Sequence, residues 1–225
     1  PTSNTTTSCF LTQGENVAIV NSKSLSSPRV VSLFSGCGGL DLGFVEAGFE
    51  IVYACDNDAA AVDCYRANIG PHIFLQDVND QSFDDHLERV GSCDVVLGGF
   101  PCQGFSKAGP KKASDSRNLL YEKMKTAVMR LKPKVFVAEN VDGIKQNFGG
   151  SFVQRIRNSF SQGDTTYDVG FRILDAVGFG AAQHRRRAFF VGVLRSENAV
   201  PTASFDWPVP AYMTPERNGE FKLGG

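Results

Sequence analysis

Short apolar runs alternate along the chain with stretches in which apolar residues recur every three or four positions. The periodic stretches predict helices at about 39–47, 58–68, 117–131 and 150–161. Strands that alternate with helices and are rich in Val, Ile and Phe favour an α/β fold with a doubly wound, mostly parallel sheet covered on both faces. The short runs predict seven strands, at Val30–Phe34, Ile51–Cys55, Ile73–Leu75, Val95–Leu97, Val135–Ala138, Phe171–Leu174 and Ala188–Leu194.

The two ends of this pattern set the predicted boundaries of the domain. Residues 1–28 are rich in Ser, Thr and Asn and are predicted to form an N-terminal extension. No helical pattern separates the last two strands, so we expect them to form an antiparallel pair at the edge of the sheet. After Trp207 the chain becomes rich in Pro, Gly and polar residues. The predicted domain therefore covers residues 29–208, and residues 209–225 form a C-terminal tail.

Composition narrows the class of protein. The chain has 225 residues, of which 42% are hydrophobic and 21% charged, as in an ordinary globular domain. A net charge of −1 gives no overall attraction for nucleic acid, so such a surface would have to be local or supplied by another chain. The six cysteines include no C-x-x-C pair, which argues against a zinc site. We therefore expect no bound metal. Several of the cysteines lie in or beside strand-like apolar runs, which suits a reducing cytoplasm better than a disulfide framework. The chain has no long apolar run and no signal-peptide pattern, so we expect a cytoplasmic or otherwise intracellular protein.

A glycine-rich turn after the first strand marks one candidate ligand site. The run FSGCGGLDLGF, residues 34–44, joins the strand to a helix, where backbone amides can meet a ligand. Asp41 stands where the third glycine of a dinucleotide fingerprint would be, which disfavours a nicotinamide cofactor. Asp56 and Asp77 follow the next two strands and could bind the ribose and the adenine of a nucleoside-bearing ligand. Taken alone, either acid is more typical of a turn or a helix cap.

A second group of candidate residues follows other strands at the same edge. Cys102 lies in GGFPCQGFS, residues 98–106, just past a strand end. Glu139 also follows a strand, while Arg185 and Arg187 precede the last strand with a spacing that places them on one side of it. Taken alone, a single cysteine is usually a buried apolar residue and an arginine run is usually a solvated edge. Together these residues place a thiol, a carboxyl and two guanidinium groups over one edge of the sheet.

In order and spacing, these blocks resemble the DNA (cytosine-5)-methyltransferase family. The resemblance implies S-adenosyl-L-methionine as methyl donor and a seven-strand sheet of the S-adenosylmethionine-dependent methyltransferase type. It also implies Cys102 as the nucleophile, Glu139 at N3 and the exocyclic amine of the pyrimidine, Arg187 near O2, and Arg185 in support. The matching blocks are FSGCGGLDLGF at 34–44, Asp56, Asp77, GGFPCQGFS at 98–106, DSRNLLYE at 115–122, ENV at 139–141 and QHRRR at 183–187.

The resemblance also implies where the cofactor binds. The matching positions follow the first four strands, and one more lies in the helix predicted near residue 120. We expect the cofactor site to contain Phe34, Ser35, Gly36, Gly38, Gly39, Leu40, Asp56, Asn57, Asp77, Val78, Gly99, Pro101 and Leu120.

The expected reaction is methyl transfer to carbon 5 of a flipped cytosine in duplex DNA, through a covalent adduct with Cys102. The target-recognition region and the last blocks of the family do not occur in the chain. We therefore expect a second polypeptide to supply them, as in the split enzymes of some bacterial restriction-modification systems; a truncated fragment is the alternative. Three other functions stay open: a tRNA cytosine-5 methyltransferase, a cofactor-binding subunit without catalysis, and a Rossmann-type oxidoreductase. The last of these leaves the PCQ, ENV and QHRRR motifs together without an explanation.

Overall fold

The computed structural model describes residues 26–101, 119–145, 151–162, 165–195, 205–215 and 221–223. Within these ranges the strands are β1 (Arg29–Leu33), β2 (Glu50–Asp56), β3 (Ile73–Leu75), β4 (Val95–Gly98), β5 (Val135–Val141), β6 (Tyr167–Asp175), β7 (Arg186–Leu194), β8 (Met213–Pro215) and β9 (Phe221–Leu223). The helices described are α1 (Gly39–Glu46), α2 (Ala59–Asn68), α3 (Gln81–Val90), α4 (Leu119–Leu131) and α5 (Ser151–Phe160), with a 3₁₀ turn at Ala176–Phe179.

The strands β1 to β7 form one sheet in the order β3-β2-β1-β4-β5-β7-β6. The first five strands run parallel, and β7 lies antiparallel between β5 and β6. This confirms the predicted seven-strand, mostly parallel sheet and the antiparallel pairing of its last two strands. Because β7 is antiparallel, its first residues lie at the same edge as the carboxyl ends of β1, β4 and β5. Ligand sites of open α/β sheets form at this edge.

Helices cover both faces of the sheet. Residues of α3, α4 and α5 pack in one hydrophobic cluster with Val31 and Leu33 of β1. Side chains alternate between the two faces along a strand, so Val30, the neighbour of Val31, faces the other way. It packs in a second cluster with residues of α2 and α1. This arrangement confirms the doubly wound fold. In the described part of the chain, no helix is both long and apolar enough to cross a membrane.

Several features differ from the sequence prediction. Because β5 continues to Val141 and β7 begins at Arg186, Glu139 and Arg187 lie within strands rather than beside them. Strand β6 begins at Tyr167, four residues before its predicted start.

Helix α3 was not predicted, because only Phe83 and Leu87 of this strongly charged segment are buried. They are four residues apart and lie on one face of the helix, which connects β3 to β4. The strands β8 and β9 pair antiparallel within residues 209–225, which the sequence indicated only as a polar tail. The domain boundaries stay a prediction.

Candidate functional site

A cavity of about 740 Å³ opens at the edge where β1, β4 and β5 end and β7 begins. Residues of the glycine-rich turn therefore share one cavity with Glu139, Arg185 and Arg187. Of the residues proposed from the sequence, its wall contains Phe34, Ser35, Gly39, Leu40, Gly99, Glu139, Arg185 and Arg187. The wall does not include Gly36, Gly38, Asp56, Asn57, Asp77, Val78, Pro101 or Leu120. Cys102 lies outside the described residues, and the roles of all these residues stay predictions.

Left-handed backbone gives the turn after β1 its shape. The φ angle is +55° at Phe34, +55° at Gly36 and +88° at Gly38, and a side chain such as that of Phe34 rarely adopts this conformation. At Gly38 a Cβ would lie 2.7 Å from Cγ1 of Ile69, so only glycine fits where α1 packs against α2. At Gly36 and Gly39 a Cβ would meet nothing within 4 Å, which leaves open space beside the backbone.

Asp56, the last residue of β2, and Asp77, two residues after β3, bind neighbouring backbone. Asp56 accepts hydrogen bonds from the amides of Gly36 at 2.8 Å and Asp58 at 2.9 Å. Asp77 accepts one from the amide of Asn79 at 2.8 Å. Both acids therefore stabilise turns, and Asp56 also holds the glycine-rich turn in place. A carboxylate oxygen accepts more than one hydrogen bond, so these contacts are compatible with the predicted binding of a nucleoside.

Glu139 faces Arg187 across the ladder between β5 and β7. Arg187 Nε lies 2.9 Å from Glu139 Oε1, and the two side chains are 25% and 23% exposed. Arg186 lies on the other side of β7, where its Nε is 3.4 Å from Asp142 Oδ2. Burial raises the pKa of the Glu139 carboxyl, although Arg187 and Arg185 act to lower it. Glu139 therefore keeps its proton to a higher pH than an ordinary glutamate does.

The loop after β4 brings the two halves of the cavity close together. A Cβ at Gly99 would lie 3.6 Å from Glu139 Oε2 and 3.7 Å from the carbonyl oxygen of Phe34, so a side chain there would separate the turn from the carboxyl. The buried Asn140 donates a hydrogen bond from Nδ2 to the carbonyl of Phe100 at 2.9 Å. This bond anchors the segment that leads through Pro101 to the next residue of the chain, the predicted nucleophile.

Asp175 at the end of β6 organises the loop that presents Arg185. Its carboxylate accepts hydrogen bonds from the amides of Arg185 at 3.0 Å and Val177 at 3.4 Å, and lies 2.9 Å from Nδ1 of His184. Desolvation acts to raise the pKa of Asp175, but these hydrogen bonds together lower it. The amide of Ala176 also donates to the carbonyl of Arg185 at 3.1 Å. Arg185 is therefore fixed through its backbone on two sides.

Sequence reasoning missed a large part of the cavity wall. Most of the missed residues lie on β6, β7 and the loops beside them, which long-range pairing places next to β5 without a local signal in the sequence. Asp41 did give a signal, since it is a charged residue inside a glycine-rich, apolar run. In the part of the chain that the structure describes, no group of His, Cys, Asp and Glu side chains could hold a metal ion. The missed residues are Ser32, Leu33, Asp41, Leu174, Ala176, Phe179, Ala181, Phe189 and Pro208.

Comparisons with known proteins agree with this picture. A family model described as C-5 cytosine-specific DNA methylase matches residues 28–220. The Type II methyltransferase M.NgoFVII of Neisseria gonorrhoeae is 39% identical over 180 residues, which cover 80% of this chain and 47% of that protein. The Type II methyltransferase M.HindV of Haemophilus influenzae is 39% identical over 178 residues, which cover 78% of this chain and 57% of that protein. The chain spans about half the length of the curated relatives it matches.

Solved structures share the fold. A protein from an E. coli prophage, assigned as a DNA modification methyltransferase, superposes with a TM-score of 0.62 at 35% identity, covering 75% of this chain and 47% of that one. The S. pombe Dnmt2 methyltransferase has the same fold, with a TM-score of 0.59 at 21% identity, covering 77% of this chain and 53% of that one. The resemblance drawn from the motif blocks is confirmed, because the family model covers most of the chain. The chain belongs to the family of C-5 cytosine-specific DNA methylases.

Proposed function

We propose that this protein transfers a methyl group from S-adenosylmethionine to carbon 5 of a flipped cytosine in duplex DNA. One observation carries the proposal: a single cavity joins the glycine-rich turn, whose open backbone suits a cofactor, to Glu139 and Arg187, whose groups suit a pyrimidine ring. The family model and the Type II methyltransferase relatives favour the same reaction. A cytosine paired inside a duplex cannot enter a cavity of this kind, so the reaction requires base flipping.

The turn has the features that a nucleoside-bearing cofactor needs. The open space at Gly36 and Gly39 lets a ligand approach the backbone. No side chain caps the first amides of α1, which begins at this turn. When bound, S-adenosylmethionine supplies an electrophilic methyl group. The residues that we propose to hold it are Phe34, Ser35, Gly36, Gly38, Gly39, Leu40, Asp56, Asn57, Asp77, Val78, Gly99, Pro101 and Leu120.

Cys102 is the proposed nucleophile. Its thiolate forms a bond to carbon 6 of the cytosine, and this addition makes carbon 5 nucleophilic toward a methyl group. After methyl transfer a base removes the proton from carbon 5. The bond between sulfur and carbon 6 then breaks, which restores the double bond of the ring and releases the thiolate.

Glu139 and the arginines stabilise the ring while the thiol is attached. Negative charge builds at N3 as the thiolate adds, and a proton held by Glu139 neutralises it. Burial, which raises the pKa of Glu139, favours the protonated form that this role requires. Arg187 would bind the base at O2, with Arg185 in support, because both line the cavity beside Glu139.

We propose that a second polypeptide supplies target recognition. The net charge of the chain is only −1, which gives no overall attraction for DNA. Among the described residues, Arg187 is already paired with Glu139, so of these two neighbouring arginines the more exposed Arg186 is the one that can extend toward a phosphate. The chain alone should therefore methylate DNA poorly and gain activity with its partner. Full sequence-specific activity of the isolated chain would contradict this proposal.

Trapping with 5-fluorocytosine tests the reaction directly. Fluorine at carbon 5 cannot leave as a proton does, so the covalent adduct persists after methyl transfer. With S-adenosylmethionine present, we expect a denaturation-resistant adduct with fluorinated duplex DNA for the wild type and for Cys64→Ser, an exposed control cysteine. Cys102→Ser should form none. An adduct with fluorinated tRNA alone would favour a tRNA enzyme, and cofactor binding without any adduct would favour a non-catalytic subunit.

A further inference from the structure

Asp41 is a carboxylate with no exposure to solvent, next to the proposed cofactor site. It lies in the first turn of α1 and belongs to the wall of the cavity together with Ser32 and Ser35. Nothing in the reaction above uses it. Removing a carboxylate from water is unfavourable unless both of its oxygens find partners. A buried charge beside a ligand cavity therefore needs an explanation in terms of function.

Two hydroxyl groups stabilise the charge on Asp41. Ser32 Oγ donates to Oδ1 at 2.6 Å, and the Tyr65 hydroxyl donates to Oδ2 at 2.8 Å. Burial raises the pKa of Asp41, while these hydrogen bonds act to lower it. The contacts join three elements of the fold, since Ser32 lies in β1, Asp41 in α1 and Tyr65 in α2.

The two partners lead in opposite directions. On one side, Ser35 Oγ donates to Ser32 Oγ at 2.9 Å, so this branch reaches the cavity wall within the glycine-rich turn. On the other side, the Tyr65 hydroxyl lies 2.9 Å from His72 Nε2, and this branch leads away from the cavity. The Tyr65 hydroxyl donates its one proton to Asp41, so its oxygen accepts a hydrogen bond from His72. Nε2 of the His72 ring therefore carries a proton.

The glycine-rich turn needs such an anchor. Phe34 holds a left-handed backbone that is unfavourable for a side chain, between β1 and the start of α1. Asp41 is hydrogen-bonded to Ser32 of β1. The first turn of α1 is therefore held in a fixed position relative to the end of β1, on either side of the strained Phe34. We propose that Asp41 is a positioning residue for the cofactor, and that it acts on the glycine-rich turn through the Ser32–Ser35 branch rather than through Tyr65.

Matched variants of the two branches test this proposal, which rests on the proposed binding of S-adenosylmethionine. Ser32→Ala removes the hydroxyl that joins Asp41 to Ser35, although the Ser35 hydroxyl keeps its 3.2 Å contact with the backbone carbonyl of residue 32. Tyr65→Phe removes the other hydroxyl while its ring keeps packing against Gly38. The ligand is S-adenosylhomocysteine, titrated by calorimetry into the full chain. We expect Ser32→Ala to raise Kd by about tenfold or more and Tyr65→Phe to change it less than about twofold, although each variant loses one hydroxyl that makes two hydrogen bonds.

A second readout does not depend on the ligand. In the wild type the amides of Ser35 and Gly38 donate backbone hydrogen bonds of 3.0 Å within or beside the turn. Hydrogen exchange at these amides should accelerate in Ser32→Ala and stay slow in Tyr65→Phe. Ser32→Cys has a slightly larger side chain with a weaker hydrogen-bond donor, and it replaces Ser32→Ala if that variant does not fold.

The outcomes separate this proposal from the proposed function. Equal effects of the two branches on Kd, or a larger effect of Tyr65→Phe, would overturn the role of Asp41 while leaving the cofactor in place. If the wild type binds no S-adenosylhomocysteine, the cofactor assignment fails, and exchange at Ser35 and Gly38 then decides whether Asp41 anchors the turn. Unchanged hydrogen exchange at Ser35 and Gly38 in Ser32→Ala would overturn the proposed role of Asp41.

Discussion

Glu139 shows how the environment of a single residue prepares it for chemistry. Desolvation raises the pKa of its carboxyl by more than Arg187 and Arg185 lower it. The folded protein therefore binds this proton more tightly than the unfolded chain does. By linkage, the contribution of Glu139 to stability is lost as the pH rises through the raised pKa, because the native state then carries a poorly solvated charge.

Glu139→Gln should separate activity from stability. The amide carries no charge to desolvate, so at about pH 8, above the ordinary pKa of glutamate, we expect a melting temperature equal to or above that of the wild type. Methyl transfer should fall by roughly two orders of magnitude or more, because glutamine cannot supply the proton at N3. The control is Asp142→Asn, which removes an exposed partner of Arg186 and should change both quantities little. A glutamine variant that melts well below the wild type would mean that the ion pair with Arg187 outweighs burial.

At the scale of one element, two glycines affect helix α1 in different ways. Gly38 has a φ of +88°, and a Cβ there would lie 2.7 Å from Ile69. Gly38→Ala should therefore lower the free energy of unfolding by about 2 kcal/mol or more. Gly43 lies inside the same helix with nothing within 4 Å of a Cβ, so Gly43→Ala should raise it by roughly 0.5–1 kcal/mol. Urea denaturation of both variants measures the difference, and effects of the same sign would contradict this account of the turn.

The elements differ in how far their sequence predicts them. Strands such as β1 and β4 are buried apolar runs, and both were predicted close to their true bounds. Helix α3 was not predicted because its apolar residues are few among charged ones. Its helical form depends on packing against the sheet. Asp56 and Asp77 were predicted at the ends of the second and third strands, but only the structure gives their backbone partners.

At the scale of the whole molecule, the order of the strands was the least predictable feature. The insertion of β7 between β5 and β6 follows from pairing over long stretches of chain, which no local pattern encodes. That insertion places Arg187 opposite Glu139 and brings Phe189 to the cavity wall. Motif residues such as Glu139 were therefore identified from the sequence, whereas most of the apolar residues around them were not.

Charge is a further property of the whole molecule, and it predicts how the affinity for DNA that we propose should depend on salt. Its net charge is −1, and Arg186, which is 52% exposed and lies between two residues of the cavity wall, is paired with Asp142. Lys134 has a similar pairing with Asp94 at the opposite end of β5 and is 80% exposed. The two residues therefore form a matched pair of surface cations, one beside the cavity and one remote from it.

Salt dependence of DNA affinity measures how many phosphates these cations meet. Each phosphate contact contributes a slope of about −0.9 to the plot of log K against log salt, so we expect a slope no steeper than about −3 for this chain alone. Arg186→Ala should flatten the slope by about 0.9, since it removes one contact near the cavity, whereas Lys134→Ala should leave it unchanged. The proposed second polypeptide should add two phosphate contacts or more and so change the slope by about −2. A slope of about −6 for the isolated chain would mean that it carries a full phosphate-binding surface by itself, and the proposed division of labour between two chains would then be wrong.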